Sequence, residues 1–292
     1  MGPIELLISA SEELRLVDVG ARWGVHKRWD AILAHSKVLC FEPDIQECKN
    51  LQASSPNNIY YQPIALSDHW GELDIFITEQ PACSSAYPPV SSLYQLFPSL
   101  KDITPRSVAR VSCRPLDDIV SDLQWDRIDC IKLDIQGYEL NALKGANNAL
   151  ENCSIVDIEV EFNTLYEGQP LFFEVDGYLR KHGFVLWKLE NLSHYAPEIV
   201  PAAESSFFIS AEPYSPFFGK IPAGQLFWAQ AQYVRASYPP SRIDPLFRPQ
   251  AIRAALLAGC YGFWDLSLEV LKKSGDIELV SELRKTLGMS TP

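Results

Sequence analysis

Asp18, Gly20, Gly24 and Glu42 have the types and the spacing to hold a nucleoside. The apolar run from Leu14 to Val19 carries Asp18 near its end and opens into Gly20-Ala21-Arg22-Trp23-Gly24. Glycine at 20 and 24 permits positive φ and lets a ligand approach where a Cβ would stand in its way. A second apolar run, Val38 to Phe41, closes on Glu42 and Pro43. An acidic residue roughly twenty positions beyond a glycine turn accepts hydrogen bonds from both hydroxyls of a ribose lying across the strand ends. A dinucleotide site asks for Gly-x-Gly-x-x-Gly, whereas position 22 is Arg22, which would crowd a pyrophosphate. That disfavours a nicotinamide cofactor. A cofactor with a ribose and no pyrophosphate fits, and S-adenosylmethionine is the obvious case.

These residues need strands that end side by side, and the pattern supplies them. Helical character over residues 44–52 follows the Glu42 strand, and 58–66 reads as a third strand weakened at Pro63, closing on Ser67 and Asp68. Residues 72–78 alternate as a half-exposed strand does. Residues 80–110 break the rhythm with prolines, serines, Tyr87, Tyr94 and Phe97, as expected of an active-site lid. A short helix at 115–120 precedes a fourth parallel strand over 128–135. One helix should then reach Leu150, burying Leu140, Leu143, Ala146 and Leu150. A fifth strand at 154–162 places Asp157, Glu159 and Glu161 on one side. A helix at 171–182, a strand from 184, a second excursion over 190–225 and a closing strand at 225–235 complete the series. Strands alternating with helices at this pitch imply an α/β fold with a mainly parallel sheet covered on both faces. Beyond Pro239 and Pro240, residues 249–260, 264–273 and 277–287 read as helices of a small C-terminal appendage. The expected division is 1–238 and 239–292.

Composition narrows the function. The 292 residues carry a formal net charge of -12, which argues against a broad nucleic-acid footprint. Seven cysteines show no C-x-x-C pair and suggest a reducing compartment. No basic region leads into an apolar run at the N-terminus, and no stretch has the length of a membrane span. The expectation is a soluble, cytoplasmic protein.

Taken in order, Asp18-Val19-Gly20-Ala21, Phe41-Glu42-Pro43 and Lys132-Leu133-Asp134-Ile135-Gln136-Gly137-Tyr138-Glu139 make the chain resemble the FkbM family of S-adenosylmethionine-dependent methyltransferases over residues 14–235. Leu143-Lys144-Gly145-Ala146 and Gly224-Gln225-Leu226 extend the likeness, as do Ala229 and Tyr233-Val234-Arg235. The resemblance implies a seven-stranded Rossmann-like methyltransferase sheet and methyl transfer to oxygen, at a hydroxyl of a sugar, glycan or glycosylated natural product. It implies that Asp18, Gly20, Arg22 and Gly24 line the methionine part of the cofactor, that Glu42 holds its ribose, and that Ser67 and Asp68 lie near the adenine. Two positions depart from the family pattern. Arg22-Trp23 replaces the usual turn, and Gln136 stands where glutamate is common.

Methyl transfer to an alcohol is an in-line displacement that needs alignment, exclusion of water and a base for the hydroxyl proton. Asp134, at the carboxyl end of the fourth strand, is the candidate base or acceptor-orienting group; the alternative is a helix N-cap. Lys132, two residues earlier on the same face, stabilises an ionised Asp134 or binds the acceptor oxygen. Glu159, with Glu161 beside it, is expected to face the cleft, because unpaired charges on a buried strand are costly. Carboxylates suit divalent cations, but no ligand spacing sets such a site and no metal is assigned. Trp23, Tyr87, Tyr94 and Tyr195 are candidates to stack on a sugar ring or to pack the lid. The expected partner is a small-molecule or glycan acceptor, with no nucleic acid; the oligomeric state stays open. A second reading keeps the fold as a non-catalytic nucleoside-binding scaffold whose helical tail docks a partner.

Overall fold

Seven β-prone runs form one sheet in a computed structural model that describes residues 1–195, 225–235 and 248–289. The strands are β1 (Leu14–Val19), β2 (Ser36–Phe41), β3 (Ile59–Gln62), β7 (Cys130–Leu133), β8 (Ile155–Glu161), β9 (Phe184–Tyr195) and β10 (Gln225–Arg235). Their order is β3-β2-β1-β7-β8-β10-β9. The pairs from β3 through β8 are parallel, while β10 runs antiparallel to both neighbours. The strand order reverses between β1 and β7, which opens a crevice at their carboxyl ends, where ligands bind in such sheets. The second excursion expected after residue 190 falls partly on β9, and residues 196–224 lie outside the described residues, as does the proline pair at 239–240.

Side-chain alternation divides the sheet into two apolar faces. Leu14, Leu16, Val38 and Ile155 pack on one face with α1 (Pro3–Ala10), α8 (Arg248–Cys260), α9 (Trp264–Lys273) and α10 (Ile277–Thr286). Val17, Val19, Leu39, Ile131 and Val156 pack on the other with α4 (Leu116–Asp122), α5 (Glu139–Lys144), α6 (Asn147–Asn152) and α7 (Phe172–Lys181). The helix α2 (Ile45–Ser54) starts at Asp44, whose carboxylate accepts from the amides of Gln46 and Glu47.

The C-terminal helices form as the sequence suggests, and α8 is drawn into the core. Every residue from Ala251 to Gly259 is buried, as expected of a helix with no strongly polar face. The charge within this buried stretch, Arg253, bonds Asp129 at 2.9 Å and Glu12 at 2.5 Å. A tail docked in this way spends the apolar surface of α8 on the sheet.

Three expectations are corrected. The strand expected over 58–66 divides at Pro63, whose ring nitrogen has no hydrogen to give a ladder. Its second part, β4 (Ala65–Leu66), joins β6 (Pro105–Arg114) and β5 (Gly71–Thr78) in a separate sheet of order β4-β6-β5. The excursion at 80–110 contains a short helix, α3 (Ser91–Leu96), and its later part enters β6. Phe97, Leu100 and Ile103 bury against Tyr166, Tyr195 and Phe227. The single helix expected to reach Leu150 breaks into α5 and α6. A Cβ at Gly145 would collide with the Ser67 carbonyl, and Asp117 caps a new helix start through the amides of Asn148 and Ala149, each at 2.9 Å. Helix α1 was not legible as an element, being only 8 residues long and lying ahead of the first strand. Among the described residues, no helix is long and apolar enough to cross a membrane.

Removing Arg253 leaves Asp129 buried with less compensation. Arg253→Ala is expected to cost about 3 kcal/mol of stability, measured as a lower urea midpoint with unchanged slope.

Candidate active site

The centre of the site is a charged row across adjacent strands. Asp18 on β1, Lys132 on β7 and Asp157 on β8 are register partners. The Lys132 ammonium lies 3.5 Å from Asp18 Oδ1 and 3.6 Å from Asp134 Oδ2, with its side chain only 8% exposed. Burial pushes the ammonium down, but the carboxylates of Asp18, Asp134 and Asp157 prevail and hold it above the ordinary lysine range. Asp18 uses its other oxygen to accept from the His26 amide at 2.8 Å. The Asp18 side chain thus closes the loop that starts at Gly20.

That loop makes a tight passage between strands. Gly20 and Ala21 both donate to the Phe41 carbonyl at 3.1 Å. Gly20 has φ +82°, and a Cβ there would fall inside the Asp134 carbonyl. Gly24 has φ +91° with open space around it, so its requirement is conformational.

Just past β2, Glu42 is buried, and its Oε1 accepts from the Asp44 amide at 2.8 Å, with Arg22 Nη1 at 3.7 Å. Burial pushes its carboxyl up, against the Asp44 bond and the Arg22 charge. Arg22 also reaches Asp44 at 3.4 Å, so its guanidinium is drawn toward the carboxylates that follow the second strand.

Asp134 follows β7 with its side chain 39% exposed. It caps no helix. The Ile135 amide donates instead to Glu139 Oε1 at 2.7 Å, and the Asp134 carboxylate faces Lys132 and Gln136, whose Nε2 donates to Oδ1 at 3.1 Å. The same Nε2 donates to Glu159 Oε2 at 2.7 Å. Glu139, Glu159 and Glu161 each bring a carboxylate oxygen within 4.8 Å of the others, all buried. Burial and neighbouring carboxylates push Glu159 and Glu161 well above the usual range, and burial pushes Glu139 up to about 7.

A cavity of about 590 Å³ opens over these strand ends. Gly20, Arg22, Trp23, Glu42, Asp134 and Gln136 line one side, and the small sheet supplies an apolar wall of Leu73, Ile75, Ile77 and Val111. Of the residues expected to touch the cofactor, Gly20, Arg22 and Glu42 are on the wall of this cavity. Asp18 and Gly24 are not, because the first is directed beneath the loop and the second shapes its bend. Ser67 and Asp68 are also off the wall. The Ser67 hydroxyl sits among Asp68, His69 and Tyr138 at 3.3, 3.1 and 3.2 Å, and Asp68 bonds His69 at 2.7 Å, which lowers its carboxyl. Lys132 and Glu159 lie below Asp134 and Gln136. Of the four aromatic candidates, Trp23 lines the cavity and is 76% exposed. Tyr87 packs on Tyr138, while Tyr195 and Tyr94 join the Phe97 and Phe227 cluster. Sequence reading missed Tyr138 and the small-sheet wall; alternation at Leu73, Ile75 and Ile77 was the available signal.

The family pattern described as "Methyltransferase FkbM domain" matches residues 18–186. The chain belongs to the FkbM methyltransferase family. It is 26% identical over 198 residues to the hexuronic acid methyltransferase AglP of Haloferax volcanii, covering 64% of this chain and 75% of AglP. It is 24% identical over 161 residues to the 2-O-methyltransferase NoeI of Sinorhizobium fredii, covering 53% of this chain and 66% of NoeI. Among solved structures, the magnesium protoporphyrin IX methyltransferase ChlM of Synechocystis PCC 6803 with bound SAM is similar at a TM-score of 0.37 and 10% identity, over 80% of this chain and 76% of that one.

As an FkbM protein the chain is an S-adenosylmethionine-dependent methyltransferase, and its residues fit that cofactor. Gly20 and Arg22 line the cavity beside the buried carboxylate of Glu42, which would hold the ribose, with the apolar wall beside Leu66 for the adenine. Glu42→Ala is expected to weaken binding of S-adenosylhomocysteine by about 1–3 kcal/mol, the loss of hydrogen bonds to a charged group; calorimetric titration measures it. Glu139, with its folded value raised to about 7, keeps its proton after the unfolded chain has released it. Stability should therefore fall as pH rises from the ordinary glutamate value toward about 7. Glu139→Gln should flatten that slope in denaturant melts taken across this pH window.

Proposed function

We propose that this FkbM methyltransferase methylates a hydroxyl of a sugar or glycan, with Asp134 taking the hydroxyl proton. The observation that carries the reading is the setting of Asp134. Its carboxylate is partly exposed on the cavity, with Gln136 donating to one oxygen and Lys132 close to the other. This is a pre-oriented proton acceptor on a rigid strand end rather than a helix cap. The names of AglP and NoeI support a sugar acceptor, since the one acts on hexuronic acid and the other is a 2-O-methyltransferase.

Bound S-adenosylmethionine supplies an electrophilic methyl group. The chain's own residues do the remaining work. Asp134 accepts the proton as the acceptor oxygen becomes nucleophilic, and Lys132 balances the charge of its carboxylate in a setting of low dielectric. Trp23, exposed at the cavity rim, offers a flat apolar surface to a sugar face. The small-sheet wall excludes water from one side. Free thiols at all the cysteines match a reducing compartment and support a cytoplasmic setting. Residues 1–238 carry the site in this reading, and the helices beyond 239 brace its sheet.

The test begins with calorimetric titration of S-adenosylmethionine and S-adenosylhomocysteine, with NAD as control. A panel of neutral, amino and uronic-acid glycans follows, with methyl transfer read by mass. Asp134→Asn should lower turnover on the best acceptor by about a hundredfold or more while leaving cofactor affinity within twofold. Full turnover in that variant overturns the assignment of Asp134 as the base.

A further inference from the structure

We propose that Gln136 is a positioning residue for methyl transfer, its carboxamide tying Asp134 to Glu159 in a way no carboxylate at that position can. The inference rests on the reading of Asp134 given above. Gln136 has φ +58°, a left-handed conformation uncommon outside glycine and asparagine. Its carbonyl, its Oε1 and its Nε2 are each met from a different direction. Ser85 Oγ donates to its carbonyl at 2.6 Å. The hydroxyl of the buried Tyr166 lies 3.1 Å from its Oε1 and 2.8 Å from the Cys83 carbonyl. With Oε1 on the side of the Tyr166 hydroxyl, Nε2 points the other way, where it meets Asp134 Oδ1 at 3.1 Å and Glu159 Oε2 at 2.7 Å. An amide nitrogen has two hydrogens and a carboxylate oxygen has none. The chemistry therefore fixes the orientation of the amide.

The same contacts explain why glutamate would act differently here. A carboxylate of the same length would set a third acceptor against two others at hydrogen-bond distance, forcing a proton onto the group. The groups facing it give no relief. Lys132 on β7 already serves Asp18 and Asp134. Glu159 and Glu161 on β8 and Glu139 on α5 are acidic and buried, and the Tyr166 hydroxyl is shared with Cys83. The neutral amide, by donating twice, holds the partly exposed Asp134 and the buried Glu159 in fixed relation, so that Asp134 presents its second oxygen to Lys132 and the acceptor.

Two measurements test this, and the first needs no acceptor. In protein labelled with nitrogen-15 at glutamine side chains, the Gln136 amide pair is assigned by its loss in Gln136→Asn. Both protons should exchange with solvent at least tenfold more slowly than those of an exposed glutamine. Asp134→Asn should displace one of them and Glu159→Gln the other. Amide protons that respond to neither substitution overturn the bridge. The second measurement uses the glycan turned over in the acceptor panel. Gln136→Glu should lower kcat near neutral pH about tenfold or more, with KM for the cofactor within twofold, and should regain turnover as pH rises. Gln136→Asn keeps the amide and tolerates the backbone conformation but is one methylene short, so it should show the loss of kcat without the recovery. A kcat–pH profile in Gln136→Glu that superimposes on the wild type overturns the positioning role. If the sugar reading itself fails, wild-type protein turns over no glycan in the panel, while the amide measurement still decides the bridge.

Discussion

The buried ammonium of Lys132 is the constraint on which the site depends. A cation this far from water is tolerated because carboxylates on both neighbouring strands and one just past its own strand share it. Asp18 is one of them, and its second oxygen holds the His26 amide, so the geometry of the Gly20 loop is tied to the same charge. Asp134 is another, and it faces the cavity. Moving Lys132 would take the shared cation from Asp18 and Asp134 together. The Gly20 loop and the Asp134 side of the cavity are in this sense one electrostatic unit built on three adjacent strands.

Around that unit the packing is asymmetric. One sheet face is covered by the crossover helices of an ordinary α/β unit. The other is covered by α1 and the three C-terminal helices, which are far apart in sequence. Arg253 pins α8 to Asp129 at the start of β7 and to Glu12 ahead of β1. The sheet that positions Lys132 and Asp18 is thus braced from behind by the end of the chain. The small sheet does the complementary job in front. It lies above the strand ends and supplies the apolar wall opposite Gly20 and Asp134.

Beneath Asp134 the balance of charge changes character. Glu139, Glu159 and Glu161 are buried together, and burial raises all three. The partly exposed Asp134 has a cation and an amide donor instead. Carboxyl groups whose surroundings differ in this way take different roles in catalysis. The amide of Gln136 stands at the boundary between the two environments, which is why the departure from glutamate at this position is chemically meaningful.

Much of this was legible in the residues. The runs at β1, β2, β7 and β8 and the turns that follow them are local patterns of side-chain type, and they set the α/β class, the family and the placing of Gly20, Glu42 and Asp134. Asp157, Glu159 and Glu161 share a face because a strand alternates, whatever it packs against. Local pattern failed where a distant partner decided the outcome. Gly145 breaks a helix because the Ser67 carbonyl lies against it, and Asp117 supplies the cap for the next helix from another element. The same is true of Pro63, whose flanking strands belong to different sheets. Asp18 was read as a ligand group from its position alone, and the fold sets its carboxylate beside Lys132 on β7 and the His26 amide. The sequence by itself determined which chemical groups end each strand, since strand periodicity is a property of neighbouring residues. Only the tertiary structure decided which of those groups are spent on one another and which face the cavity, because a buried charge is directed by partners that the chain brings from far away.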